Sequence, residues 1–340
     1  MSKKTPRTRA VTMKDVAEQA GVSRTAVSLV LNDRFDVTLA HDTRQRVIQA
    51  ASELGYRPNA GARALAQQRS DWYGLVTEIV TAPFAVDVIK GAQDRAMGDG
   101  KYLLIASTES DPAAETAAIE RLLEQRVEGL IYAATWHRGV SIPDIALEVP
   151  TVLVNCFDVE ERFPAVVPDE RIGGYRATER LLQAGHRRIG FINLDAGIPA
   201  AVGRREGYVH ALRERHIDAD AALEVVGHAT ADGGFSAAEH LLDLPLPPTA
   251  IFCANDRMAM GAYDAIKERG LRIPEDVAVI GFDNQELIAS YLRPKLTTVA
   301  LPFEQMGAMG VDLLARITAG ESTVTNIVTV DCPLLERSSV

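Results

Sequence analysis

The sequence has no run of 18 apolar residues, and its basic N-terminus, with Lys3, Lys4, Arg7 and Arg9, has no apolar stretch behind the charges. Neither a membrane-spanning helix nor a secretory signal is expected. Cysteine is scarce: Cys156, Cys253 and Cys332 lie far apart in apolar surroundings, with no Cys-x-x-Cys pairing. They read as reduced core residues of a cytoplasmic protein. Enzyme signatures are also missing. There is no Gly-x-Ser-x-Gly elbow, no phosphate-binding P-loop, no His-Glu-x-x-His and no Gly-x-Gly-x-x-Gly after a strand, and the seven histidines are scattered. No enzyme activity, metal or cofactor is expected.

What is present is enough for two or three cores, since 340 residues are 47% hydrophobic. Net charge is −10 but unevenly spread: residues 1–70 hold 12 Lys/Arg and 6 Asp/Glu, a net +6, which leaves −16 for residues 71–340. The basic end is therefore the candidate nucleic-acid end, and residues 1–11 read as an arm that attracts phosphate. Behind it, Thr12 to Asn32 places Val16, Ala17 and Ala20, then Val22, Val27, Val30 and Leu31, at helical spacing in two segments interrupted by Gly21. This is a helix-turn-helix pattern. Thr12 with Asp15 and Ser23 are candidate N-caps, Gly21 occupies the turn that needs a positive φ, and Val22 plugs the junction. With Val27, Val30 and Leu31 inward, Arg24, Thr25, Ser28 and Leu29 turn outward, where a major groove can be read. A third helix, roughly Asp42 to Leu54, presents Val47, Ile48, Ala51 and Leu54 to the other two.

The segments VTMKDVAEQAGVSRTAVSLVLN and TRQRVIQAASELGYRPNAGARALA, in this order, closely resemble the DNA-binding headpiece of the lac repressor (LacI/GalR) family. The stretch VTLAHDTR is about two residues longer than the family pattern, leaving Thr38 and Asp42 as alternative caps of the third helix. The resemblance implies that Thr12, Ser23, Arg24, Thr25, Ser28, Leu29 and Asn32 approach DNA. It also implies that Asn59 to Ala66 is a hinge helix bringing Asn59, Arg63, Leu65 and Ala66 to the minor groove, with Leu65 as an apolar wedge. Eight residues containing Gly61 are too few for a stable isolated helix, so this segment is expected to fold only on the operator.

From Trp72 onward the pattern alternates. Apolar runs at 72–76, 102–106, 129–133 and 151–154, then 189–192, 223–226, 250–253 and 277–282, are separated by helical segments, including one opened by Arg204. Such βα repeats predict an α/β fold with two parallel-sheet lobes, whose ligands bind beyond the carboxyl ends of the strands. By resemblance the body is a periplasmic-binding-protein-like effector domain whose chain crosses between lobes near residues 160, 290 and 325. The expected organisation is a helix-turn-helix headpiece in residues 1–58, a hinge helix and linker in 59–70, and an effector-binding and dimerisation domain of two interleaved lobes in 71–340.

For the effector, the loops after strands supply Arg204, whose guanidinium can fork onto carboxylate, phosphate or paired hydroxyls, Asn255 at a helix start, and Asp283 at a strand end. All three match family ligand positions. Phe84 and Asn155 belong to the first lobe's share of the cleft, and Trp136 either stacks on a ligand ring there or covers the lobe edge. Asp169 either faces the cleft or caps the helix that follows. Ala229 stands where several relatives carry an aromatic platform, which favours a hydroxyl-rich sugar over a flat purine. The resemblance thus implies a homodimeric, cytoplasmic transcriptional regulator of a near-palindromic DNA operator. It would be a repressor of carbohydrate-utilisation genes released by a sugar-like inducer, or alternatively a corepressor-dependent regulator. A transporter's solute-binding protein would have no use for the headpiece.

Overall fold

A computed structural model describes residues 11–31, 40–57, 70–82, 84–321 and 327–340. The chain divides into two compact units, Met1–Asp71 and Trp72–Val340.

The first unit is built from α1 (Met13–Ala20), α2 (Arg24–Leu31) and α3 (His41–Glu53). The Asp15 carboxylate accepts from both the N–H and the hydroxyl of Thr12, each at 2.7 Å, and Ser23 Oγ accepts from Ala26 N–H at 3.1 Å. Both helix starts are thus satisfied by the side chains the sequence offers. Gly21 is left-handed at φ 65°, which lets Val22 N–H turn back to the Ala17 carbonyl at 3.1 Å. The core consists of Val16, Ala17, Ala20, Val27, Val30, Val47, Ala50 and Ala51. Two expectations for α3 are corrected. Ile48 is 54% exposed and Ala50 takes the inward place, because the face built on Val47 continues at positions three and four further on. The residue preceding the helix is Ala40, which gives no side-chain cap, and Asp42 lies inside the first turn; Thr38 is outside the described residues.

The second unit contains two six-stranded sheets. The first has the order β11-β5-β4-β3-β1-β2, from β1 (Trp72–Thr77), β2 (Tyr102–Ser107), β3 (Leu130–Val140), β4 (Thr151–Asp158), β5 (Ala165–Pro168) and β11 (Ile327–Val330). The second has the order β12-β10-β9-β8-β6-β7, from β6 (Ile189–Asn193), β7 (Glu224–Val226), β8 (Ala250–Cys253), β9 (Ala278–Asp283), β10 (Thr297–Ala300) and β12 (Leu334–Leu335). Pairing is parallel throughout except β10 with β12. The helices are α4 (Ala85–Gly98), α5 (Pro112–Glu124), α6 (Glu170–Gln183), α7 (Pro199–Glu214), α8 (Ala231–Leu242), α9 (Asp256–Glu268), the single turn α10 (Glu286–Ala289) and α11 (Phe303–Thr318).

Strand alternation builds the cores. In β3, Ile131 and Ala133 face the layer of α4 and α11, while Leu130, Tyr132 and Ala134 face the opposite side. Both faces of the sheet are covered, as parallel sheets require. The chain leaves the first sheet through Asp169, returns through Leu301 and Pro302, and leaves again through Asp331 to Pro333. Each crossing falls several residues beyond its expected position. The short strands β5, β10 and β11 complete their sheets before the chain departs, and four residues of AVVP or TTVA carry too little pattern to announce a strand.

Candidate ligand cavity and DNA-reading surface

Between the two sheets lies a cavity of about 410 Å³. Of the seven residues expected there, Phe84, Trp136, Asn155, Arg204, Asn255 and Asp283 line it. Asp169 is not among the lining residues. Its carboxylate accepts from Ile172 N–H at 2.9 Å, capping α6, and the next residue, Glu170, turns into the cavity in its place.

Arg204 sits in the second turn of α7 and not at its start, because Pro199 opens the helix five residues earlier. Helices α6 and α7 cross with their backbones in contact. A Cβ at Gly174 would stand 2.2 Å from the Arg204 carbonyl oxygen, and one at Gly207 2.2 Å from that of Arg171. Only this close approach brings Arg204, on one helix, against Glu170, on the other. Arg204 Nε donates to Glu170 Oε2 at 2.8 Å, Nη1 donates to the Ala254 carbonyl and lies 3.5 Å from Asp283 Oδ1, and the guanidinium stacks 3.7 Å from the Phe282 ring centroid. His137 Nδ1 lies 3.3 Å from the other oxygen of Glu170.

Arg204 and Glu170 are 3% and 5% exposed, so their charges are held by one another and not by water. Burial raises the Glu170 carboxyl, but the charge of Arg204 and the contact with His137 outweigh it and hold the group below the usual carboxylate range. Asp283 comes out differently. Burial pushes it up, Arg204 pulls it down, and the nearby Glu170 charge pushes it up again, to about 7. Behind it, burial and the Asp283 charge drive Asp256 well above the carboxylate range, although it accepts from Thr298 Oγ1 at 2.6 Å and Gln285 N–H at 2.7 Å.

Asn255 caps α9, its Oδ1 accepting from Met258 N–H at 2.7 Å while Nδ2 donates to the Ala229 carbonyl at 3.3 Å. Asn155, 1% exposed, donates from Nδ2 to the Ala134 carbonyl at 3.1 Å, and its Oδ1 is buried without a hydrogen-bond partner among the described residues. Left-handed backbones gather around the cavity, at Asn155 (φ 58°), Ala229 (φ 56°) and Asp283 (φ 103°). Such strain collects where side chains must be aimed against the local preference of the chain.

The first-lobe wall is mostly apolar. Phe84 stacks on Phe303 with centroids 4.8 Å apart. Strand β3 runs past its expected end at Ala133, with an irregularity between Ala133 and Arg138, and this extension delivers Thr135, Trp136 and His137 to the cavity. Glu78, 3% exposed, fixes the extension from behind by accepting from Thr135 N–H at 3.1 Å and Oγ1 at 2.6 Å and pairing with Arg138, whose guanidinium lies 5.0 Å from the Trp136 ring. Glu170, His137, Arg257 and Phe303 are among the lining residues that sequence reasoning does not reach. Glu170 follows Asp169 directly, but nothing local distinguishes a helix-opening glutamate that will be buried from one that will be solvated.

In the headpiece, Arg24 and Thr25 are exposed at the start of α2, and Ser28 and Leu29 are half-buried on the same helix. Ser23 and Thr12 are exposed at the starts of α2 and α1. Asn32, Asn59, Arg63, Leu65 and Ala66 lie outside the described residues. The three cysteines are free and buried, and burial pushes the Cys156 thiol up to about 12. Among the described residues no helix is long and apolar enough to cross a membrane.

A helix-turn-helix unit joined to a two-lobed body with an interlobe cavity defines a DNA-binding regulator with a small-molecule receptor. Residues 12–59 match the family of bacterial regulatory proteins of the lacI type, and residues 178–340 match a periplasmic binding protein-like domain. The chain is 34% identical to the ribose operon repressor of Haemophilus influenzae, over 96% of this chain and 98% of that one, and 38% identical to the HTH-type transcriptional regulator GalS of Salmonella typhimurium, over 97% and 96%. It is also similar to the lac repressor dimer bound to operator and the anti-inducer ONPF, with TM-score 0.81, 29% identity, and 97% and 99% of the two chains covered. The chain belongs to the LacI family of bacterial transcriptional regulators.

Proposed function

We propose that this regulator is a cytoplasmic homodimer that represses carbohydrate-utilisation genes from a near-palindromic operator and is released by a sugar-like molecule bound in the interlobe cavity. The observation that carries this reading is the convergence of Arg204, Asn255 and Asp283, from three separate elements, on one cavity in a chain that also bears a helix-turn-helix. Two similar proteins, a ribose operon repressor and a lac repressor that binds operator as a dimer, support it. No enzyme activity is assigned.

In this scheme residues 1–58 read DNA, 59–70 form the hinge, and 71–340 bind effector and dimerise. Arg24, Thr25 and Leu29 read base edges, Ser23 and Ser28 contact phosphate, and Thr12, Asn32, Asn59, Arg63 and Ala66 support the docking. Leu65 wedges the minor groove, which kinks the duplex by partial unstacking. A ligand touching both walls of the cavity changes the angle between the lobes, and so the geometry in which paired hinges can fold. Operator and effector are thereby coupled reciprocally.

Titration of the full chain with its own upstream promoter DNA, followed by anisotropy at fixed salt across a panel of sugars, tests the proposal. Release by one sugar is the expected result; tightening would make the effector a corepressor, and absence of specific binding would sink the DNA-binding role. Leu65→Ala is expected to weaken operator binding while leaving effector binding intact.

A further inference from the structure

The charged groups of the cavity are not all paired directly. Arg204 is fully engaged by Glu170, the Ala254 carbonyl, Asp283 and the Phe282 face, so its charge is met before a ligand arrives. Arg257 lines the same cavity from the first turn of α9 and has no ion-pair or hydrogen-bond partner among the described residues. It is exposed and influences Asp283 through space without pairing with it. Its position at a helix N-terminus adds the positive end of the helix dipole. Across the cavity, the buried Asn155 Oδ1 is an acceptor without a donor, a state that costs free energy unless a ligand supplies the missing hydrogen. A volume of about 410 Å³ suits one sugar ring with a substituent.

Resting on the effector reading above, we infer that the ligand is a hydroxyl-rich sugar derivative carrying a single anionic group, which docks at Arg257 while a ring or chain hydroxyl donates to Asn155 Oδ1. A guanidinium serves a carboxylate and a phosphate alike, since both present paired oxygens to its fork. The site therefore selects the charge, and the identity of the anion is an experimental arm. Asp283, held near neutrality in its proton affinity, then serves as a hydroxyl partner on the Arg204 side and does not repel the anion as a fixed full charge would.

The test is isothermal titration calorimetry of the full chain at constant pH and ionic strength, using matched sets. Ribose, glucose and galactose are each compared with the corresponding aldonate or uronate and the terminal phosphate. In at least one set an anionic member is expected to bind about ten-fold or more tightly than its neutral parent, equivalent to about 1.4 kcal/mol. Arg257→Gln should bring that ratio close to one, and Arg257→Lys should keep part of it. A preference for carboxylate over phosphate, or the reverse, identifies the anion. A neutral parent that binds as well as its anionic partners would overturn the charge assignment and leave the effector cavity standing. A preference that survives Arg257→Gln would overturn its placement, and failure of every set to bind would overturn both this inference and the sugar reading.

Discussion

The two walls of the cavity are built on different physics. On the first-lobe side the wall is surface: Phe84 stacked on Phe303, Trp136 under Arg138, and one buried acceptor on Asn155. On the second-lobe side it is a charge network, in which Glu170, Arg204 and Asp283 hold one another in place. The first wall supplies area and shape complementarity. The second supplies direction, because a preformed ionic network does not have to reorganise when a ligand's hydroxyls reach it. The second wall should fail all at once when one member is removed, and the first should degrade by parts.

Removing the central cation is the most severe way to break the contrast. Arg204→Met leaves Glu170 buried with only His137 beside it, and should cost about 3–5 kcal/mol of stability in urea unfolding of the body. Replacing Glu170 by Leu in the same chain should recover most of the loss, since a buried pair exchanged for packed apolar groups is often neutral. A double variant no more stable than the single one would show that the pair acts through shape and not through charge.

Asp283 gives the next largest effect, in a form only pH reveals. Its folded value of about 7 lies above the 3.8 of a free carboxyl, so the native state binds the proton more tightly. Its contribution to stability is fully present below 3.8 and is lost as pH rises through 7. Thermal unfolding of Asp283→Asn beside the parent should therefore shift in favour of the variant between pH 5 and pH 8, by on the order of 2 kcal/mol. A pH-independent difference would place the carboxyl in a wetter setting than the structure gives it.

The apolar wall should respond more mildly. Phe84 is half-buried, so Phe84→Ala is expected to cost about 1 kcal/mol of stability through lost area and the lost stack on Phe303, with a matching fall in ligand affinity read by calorimetry. The smallest change in stability is expected from Asn155→Gly. Relief of the left-handed backbone offsets the lost bond to Ala134, so unfolding should move by less than about 1 kcal/mol while ligand affinity falls several-fold. Unchanged affinity would mean that the unpartnered oxygen does not face the ligand.

Legibility in the sequence followed the range of the interaction. The caps at Thr12 and Ser23 and the turn at Gly21 are decided within four residues, and they form from those side chains. The long apolar strands and their helices were readable for the same reason, because period and burial travel together. Where pattern is thin the sequence announces no strand, at β5, β10 and β11, or ends one early, at β3, and the lobe crossings fall later than expected for that reason. Ile48 shows that even a clear helix leaves its inner face open to a rotation of about 100° per residue.

Propensities and periodicities that act along the chain suffice for the headpiece, for the alternation that yields two parallel sheets, and for the strand ends where polar residues gather. Long-range packing decides that Glu170 and not Asp169 enters the cavity and, among the described residues, that Arg204 is saturated while Arg257 is unpaired and the buried Asn155 Oδ1 has no donor. Those outcomes depend on two helices crossing at Gly174 and Gly207 and on the chain passing between two sheets, so the partners that set each charge lie tens of residues away and leave no mark on the local sequence.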